Sequence, residues 1–199
     1  MSQILFAIAT IGLIGASALT ARWSTMNSLT SGNTIFDAFE QIDETWLYSD
    51  RIGAPAATPI ERARVAIAGP LGLSAEEVIY FVGLTDKDGR RLQSNCNYLV
   101  TGKPFASRWW SIALYDSDTQ HYVPNELNRS SWNSASIPYS EAGDWTITVS
   151  PTPEEPAWLP SQKDGARAFE LMLRIYNPDD TTRVRLPKID LPTVRRLSC

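Results

Sequence analysis

Residues 105–116, reading F-A-S-R-W-W-S-I-A-L-Y-D, alternate with a period of two, which argues strand. Trp110, Ile112 and Leu114 fall on one side, and Trp109, Ser111, Ala113 and Tyr115 on the other. Both sides are largely apolar, so the strand needs cover on both faces and is expected at the centre of a packed sheet. Residues 78–85 read as a strand, and 145–150 alternate as a half-buried strand should. The alternation recurs at 168–176, where Phe169, Leu171, Leu173 and Ile175 form a core face. Residues 93–101 read as a strand beside 105–116, 46–52 as a further short strand, and 186–191 as an edge strand broken at Pro187. Between them lie turns: Asp86-Lys87-Asp88-Gly89, polar stretches at 125–136 and 140–143, and a proline-rich loop at 151–162 that holds Trp158.

Helical spacing occurs twice. Ile35, Phe36, Phe39 and Ile42 predict a short helix lying on the domain or on a membrane surface. Thr58-Pro59-Ile60-Glu61 is a capping box with proline at the first helical position, opening a helix that runs to Ile67 and stops at Gly69-Pro70. Arg62 and Arg64 on that helix read as a solvated face or, more sharply, as a phosphate grip. Short strands with one helix ahead of them give an all-β sandwich.

The start of the chain follows a different pattern. Residues 1–21 carry no charged side chain, and the apolar run from Ile4 to Leu19 is broken only by Thr10 and Ser17. That approaches the roughly 20 residues that span a bilayer. An uncleaved anchor through residues 4–21 is one reading; a signal sequence cleaved near Ala18, after the small residues Ala16-Ser17-Ala18, is the other. The first is favoured because no basic residue precedes the run. After Arg22 no Lys or Arg appears until Arg51, while Asp37, Glu40, Asp43, Glu44 and Asp50 intervene, which places the bulk of the chain outside the cytoplasm. The expected organisation is an anchor or signal over 1–23, a tether and linker over 24–57, and a β-sandwich over 58–199. The expected location is a bacterial cell envelope, as a single-pass inner-membrane protein or, after cleavage, a secreted one.

Composition narrows the chemistry. A net charge of −4 with no basic stripe argues against nucleic acid as a partner. The two cysteines, Cys96 and Cys199, are too few and too far apart for a zinc site. In an exported domain they are expected to form a disulfide that ties down a tail (193–199) with little apolar content to dock it. The alternative is two free thiols, with Cys96 a small core residue. His121 is the single histidine, sits in an apparent hairpin tip, and has no G-x-S-x-G partner motif. Asp86, Asp88, Asp116 and Asp118 occupy two turns and read as turn formers, so neither metal nor cofactor is expected.

Arg129 and Arg174, with Trp109, Tyr115, Trp158 and Tyr176, could line an aromatic and basic groove for a sugar or anionic ligand. The plainer reading is that the arginines hold loops and the tryptophans fill the core. Arg174 lies in mid-strand opposite the core face, where it is expected to meet water or a carboxylate. Asn128-Arg129-Ser130 also matches a glycosylation acceptor.

An ordered set of short motifs resembles the family called domain of unknown function 1214. They stand here as Tyr80-Phe81, Asp86-Lys87-Asp88-Gly89, Cys96-Asn97-Tyr98, Trp110-Ser111 with Tyr115-Asp116, and Asn128-Arg129-Ser130-Ser131 with Ser134. Trp145-Thr146-Ile147, Trp158-Leu159-Pro160 and Leu173-Arg174-Ile175-Tyr176 with Pro178 complete the set. Two departures are Ala157, where the family usually has Asn, and Glu141-Ala142-Gly143-Asp144 in place of a D-G-S turn. The chain is most similar to short, single-domain, membrane-anchored members that end in cysteine. The resemblance implies a jelly-roll-like antiparallel β-sandwich and no established activity. The leading expectation is therefore a non-catalytic, membrane-tethered interaction or accessory module with an envelope protein as partner. A module binding a glycan or anionic lipid comes second, and a hydrolase third.

Overall fold

The computed structural model describes residues 2–30, 39–49, 51–67, 72–74, 76–155, 157–162, 165–184, 186 and 189–199. Two sheets pack face to face. One has six strands in the order β1-β2-β3-β9-β5-β6, from β1 (Glu40–Gln41), β2 (Trp46–Ser49), β3 (Val78–Gly83), β9 (Phe169–Pro178), β5 (Ser107–Asp116) and β6 (Ser131–Asn133). The other runs β10-β4-β7-β8, from β10 (Thr193–Ser198), β4 (Asn97–Gly102), β7 (Trp145–Ser150) and β8 (Trp158–Pro160). All neighbours are antiparallel except β7 and β8. Among the described residues three helices accompany them: α1 (Ser2–Thr30), α2 (Pro59–Ile67) and α3 (Asp180–Val184).

Alternation decides which side chains meet between the sheets. Trp110, Ile112 and Leu114 of β5, Ile147 of β7, and Phe169, Leu171 and Leu173 of β9 share one buried cluster, as their spacing predicts. Trp110 stacks on Trp145 across the sandwich, with ring centroids 4.9 Å apart. Strand β5 is not central, however: it lies next to the end strand β6, and β3 and β9 hold the middle of the sheet. Nor is β4 beside β5, because it belongs to the facing sheet. The chain crosses between the sheets on entering β4, β5, β7, β9 and β10, a choice that period-two patterning does not encode.

Other segments also differ from expectation. Residues 40–41 pair with β2 as a strand rather than continuing a helix, and the earlier part of that predicted helix lies outside the described residues. The helix α1 extends to Thr30, and the sheet already begins at Glu40, within the stretch read as tether and linker. The edge strand expected at 186–191 lies instead at 193–198, where Val194 is fully buried and Arg196 lies over the Tyr98 ring. The apolar content of this tail is small: Val194 points inward and Leu197 is exposed. Cys199 is then joined to Cys96, with Cα atoms 3.9 Å apart.

The capping box forms as spelled: Thr58 N–H donates to Glu61 Oε2 at 2.7 Å, and Glu61 N–H to Thr58 Oγ1 at 3.3 Å. The predicted stop at Gly69-Pro70 lies outside the described residues. The α1 segment Phe6–Asn27 is long and apolar enough to cross a membrane and is wholly exposed.

Candidate functional site

The six-stranded sheet has a second face, turned away from the four-stranded sheet, and it too is apolar. Val78, Tyr80, Val82 and Met172 form a buried cluster there with Phe39 and Ile52, covered partly by Val65 of α2. The pairing of β5 with β9 sets the rest of this face in rows: Trp109 opposite Tyr176, Ser111 opposite Arg174, Ala113 opposite Met172, Tyr115 opposite Glu170. Four of the six candidate ligand-binding residues therefore come together because β5 and β9 are neighbours in register.

Within those rows, the Trp109 and Tyr176 rings meet edge to face at 4.9 Å. Arg174 is buried, and its Nη2 donates to the Tyr115 hydroxyl at 2.8 Å while the guanidinium lies 5.4 Å from that ring's centroid. Sequence reasoning expected water or a carboxylate as its partner. The correction is physical: a planar guanidinium can satisfy itself on a phenol and its π face when the sheet sets both on one surface. Tyr115 also packs on the exposed Tyr122 at 4.6 Å. Burial, helped by a hydrogen bond with Tyr122, pushes the Tyr115 hydroxyl up to about 12, so it stays neutral.

Glu170 closes the row and was not singled out from the sequence. It is 1% exposed, and one of its carboxyl oxygens has no hydrogen-bond partner. Burial pushes its carboxyl up to about 7; Gln120 and Arg91 pull the other way, and Asp116 adds to the rise. The signal was available: in F-E-L-M-L-R-I-Y, Glu170 shares the parity of Arg174 and so its face.

Arg129 and Trp158 lie elsewhere. Arg129 Nη1 donates to the Trp158 carbonyl at 3.3 Å, and its guanidinium sits 4.8 Å over the Trp132 ring. Trp132 Nε1 donates to the same carbonyl at 3.1 Å, and Trp132 packs against the inter-sheet core. Since β6 and β8 end different sheets, these three residues clasp the sandwich along one edge. The six candidates thus divide into an outer-face row and an edge clasp, and do not line one groove.

The turn aspartates act as turn formers. Asp116 Oδ1 accepts from the N–H groups of Asp118 and Thr119 and from the Thr119 hydroxyl, at 2.8–3.1 Å. Burial raises its pKa, but these donors and Arg167 more than offset that, and the carboxyl lies below its usual range. Asp86, fully buried, accepts from the N–H groups of Asp88 and Arg90 and from Arg90 Nε. Arg196 Nε lies 3.0 Å from Oδ2, the oxygen that also accepts from Arg90 Nε, in an ion pair whose N–H does not point at the acceptor. Among the described residues no three His, Cys, Asp or Glu side chains gather as a metal site, and His121 is exposed at its hairpin tip.

The outer-face row presents the half-buried rings of Trp109, Tyr115 and Tyr176, with Arg174 and Glu170 buried among them. That set suits recognition by stacking and hydrogen bonding.

A solved structure shares the fold over most of this chain. The VPA0106 protein from Vibrio parahaemolyticus aligns over 71% of this chain and 36% of its own, with a TM-score of 0.56 and 24% identity. The chain thus spans about a third of that protein's length. An uncharacterized protein from Burkholderia cenocepacia aligns over 62% of this chain and 29% of its own, with a TM-score of 0.41 and 16% identity. No curated protein matches the chain. A family model matches residues 77–180, from the residue before β3 through β9 to the start of α3, which is just over half of the sequence. On that match this chain belongs to the family described as protein of unknown function, DUF1214.

Proposed function

We propose that the protein is a membrane-tethered module whose β-sandwich works outside the cytoplasm as a non-catalytic interaction or accessory domain in a cell envelope. The observation that carries this reading is the joining of a fully exposed apolar helix, Phe6–Asn27, to a domain closed by the Cys96–Cys199 disulfide. A bare apolar helix in water costs free energy along its whole length, and a disulfide persists only where thiols are not kept reduced. Both constraints are met by a helix in lipid with the domain on the oxidising side. A reporter that is active only in the cytoplasm, fused after Cys199, should be silent; a strong signal would overturn the topology.

A second reading has its own support. The meeting of Trp109, Tyr115, Arg174 and Tyr176 on one face favours a ligand with a stackable face and an anionic or hydroxyl-rich edge, such as a glycan. A glycan array probed with the protein and with its Trp109→Ala variant separates the two. Signals lost in the variant move the weight to ligand binding, and a blank array leaves the protein partner as the occupant.

A further inference from the structure

The cavity beside α2 is not used by the outer-face row. It encloses about 630 Å³ and is lined by Arg51, Arg62 and Glu61 together with the small residues Gly53, Ala54 and Pro55. Its position follows from α1. Every described side chain of α1 from Phe6 to Asn27 is exposed, whereas Leu29, in the last turn, is half-buried, and α1 packs against α2. The half-buried turn of α1 thus follows the candidate span Phe6–Asn27. Exposed Trp23 and Arg22, near the end of that span, are the residue types that settle at a bilayer surface. A nine-residue helix is only about 13 Å long, so the α2 residues that line the cavity lie within about that distance, along α2, of its contact with α1.

The chemistry inside is cationic. Arg51 Nη2 pairs with Glu61 Oε1 at 2.6 Å, and Arg62 donates through Nε to the Ala57 carbonyl and through Nη2 to the Pro55 carbonyl. A guanidinium carries five N–H donors in a fixed fork, and these contacts take one from Arg51 and two from Arg62. Glu61 is already committed to Thr58 and Arg51, which hold its carboxyl below the usual range. Small residues on the facing loop leave space for a group the size of a phosphodiester. We propose that this cavity binds the phosphate headgroup of an anionic phospholipid in the membrane that α1 enters. Arg51 and Arg62 supply the donors, and the capping box fixes Arg62 on the helix. This inference rests on the membrane tether proposed above.

The test uses the full chain in nanodiscs of neutral phosphatidylcholine alone or with one quarter phosphatidylglycerol, read by native mass spectrometry for co-released lipid. The protein should retain phosphatidylglycerol in preference to phosphatidylcholine. Loss of one charge-assisted contact in Arg51→Gln should lower that preference about tenfold, and Arg195→Gln, exposed on β10 in the four-stranded sheet, should leave it unchanged. Because Arg62 also holds the 55–57 loop, Arg62→Lys is the gentler second variant and should lower the preference while amide exchange in α2 stays unchanged. Equal retention by the native protein and Arg51→Gln overturns the site. Binding of free glycerol phosphate in neutral nanodiscs, with no lipid preference, overturns the lipid as its source. Failure to enter neutral nanodiscs at all would instead count against the tether.

Discussion

At the scale of single residues, Glu170 is the side chain least at ease. A carboxyl in a near-dry strand environment holds its proton, and folding raises its pKa from the ordinary 4.5 to about 7. The folded state therefore binds more protons than the unfolded one between those values. Its contribution to stability is complete below about pH 4.5, declines as pH rises to about 7, and is flat above. The loss is on the order of 3 kcal/mol. Glu170→Gln keeps the shape and removes the titration, so urea denaturation of the variant should lose most of the decline between pH 4.5 and 7.5. A variant with the native slope would assign the pH dependence to other groups. Arg174 makes the complementary point. Its place opposite the core face was readable from parity alone, but its partner was not, because Tyr115 lies 59 residues away and is delivered by pairing of β5 with β9.

At the scale of elements, local chemistry determined some pieces fully and others hardly at all. The α2 capping box, β7 and β9 carry their own signals and form where those signals fall. The short strands β6, β8 and β10 do not: three residues of S-W-N or W-L-P have no period to read, and each becomes a strand only because a neighbour offers a free edge. Proline at the end of β8 is tolerated because β8 ends its sheet. Close packing between elements appears at Gly102 in β4, where a Cβ would overlap the buried Trp145 ring that donates to the Lys103 carbonyl. Gly102→Ala should cost about 1–3 kcal/mol through that overlap, read as a lowered midpoint in thermal denaturation. A change within about 0.5 kcal/mol would mean that the tryptophan can move aside.

At the scale of the whole molecule, the C-terminal strand and the disulfide decide how the chain is closed. Strand β10 pairs along β4, buries Val194, and accepts the Trp46 indole N–H at the Pro192 carbonyl just before it, at 2.6 Å. The bond between Cys96 and Cys199 spans 103 residues of sequence. In the chain-entropy account such a closure stabilises by up to about 4.7 kcal/mol. Replacing both cysteines by serine should lower stability by an amount of that order or less, measured by guanidinium unfolding, and added reductant should then have no further effect. The native protein should lose a similar amount when reductant is added. If reductant leaves it unchanged, β10 is held by its hydrogen bonds, by Val194 and by the Arg196 contacts with Asp86 and Tyr98 without help from the disulfide.

The sequence by itself determined which faces are apolar. The alternation in β5, β7 and β9 placed seven core residues correctly, the charge-free start marked the exposed helix, and the two cysteines supplied the pair that forms the disulfide. These are local or compositional properties, and solvent selects them whatever the topology. Only the tertiary structure decided which strands are neighbours. The chain crosses repeatedly between the two sheets, so sheet membership follows from which long-range pairings bury the most surface, and no local window contains that information. The candidate site depended on that choice. Trp109, Tyr115, Arg174 and Tyr176 meet because β5 lies beside β9 in register, and Arg129 and Trp158 part from them because β6 and β8 end opposite sheets.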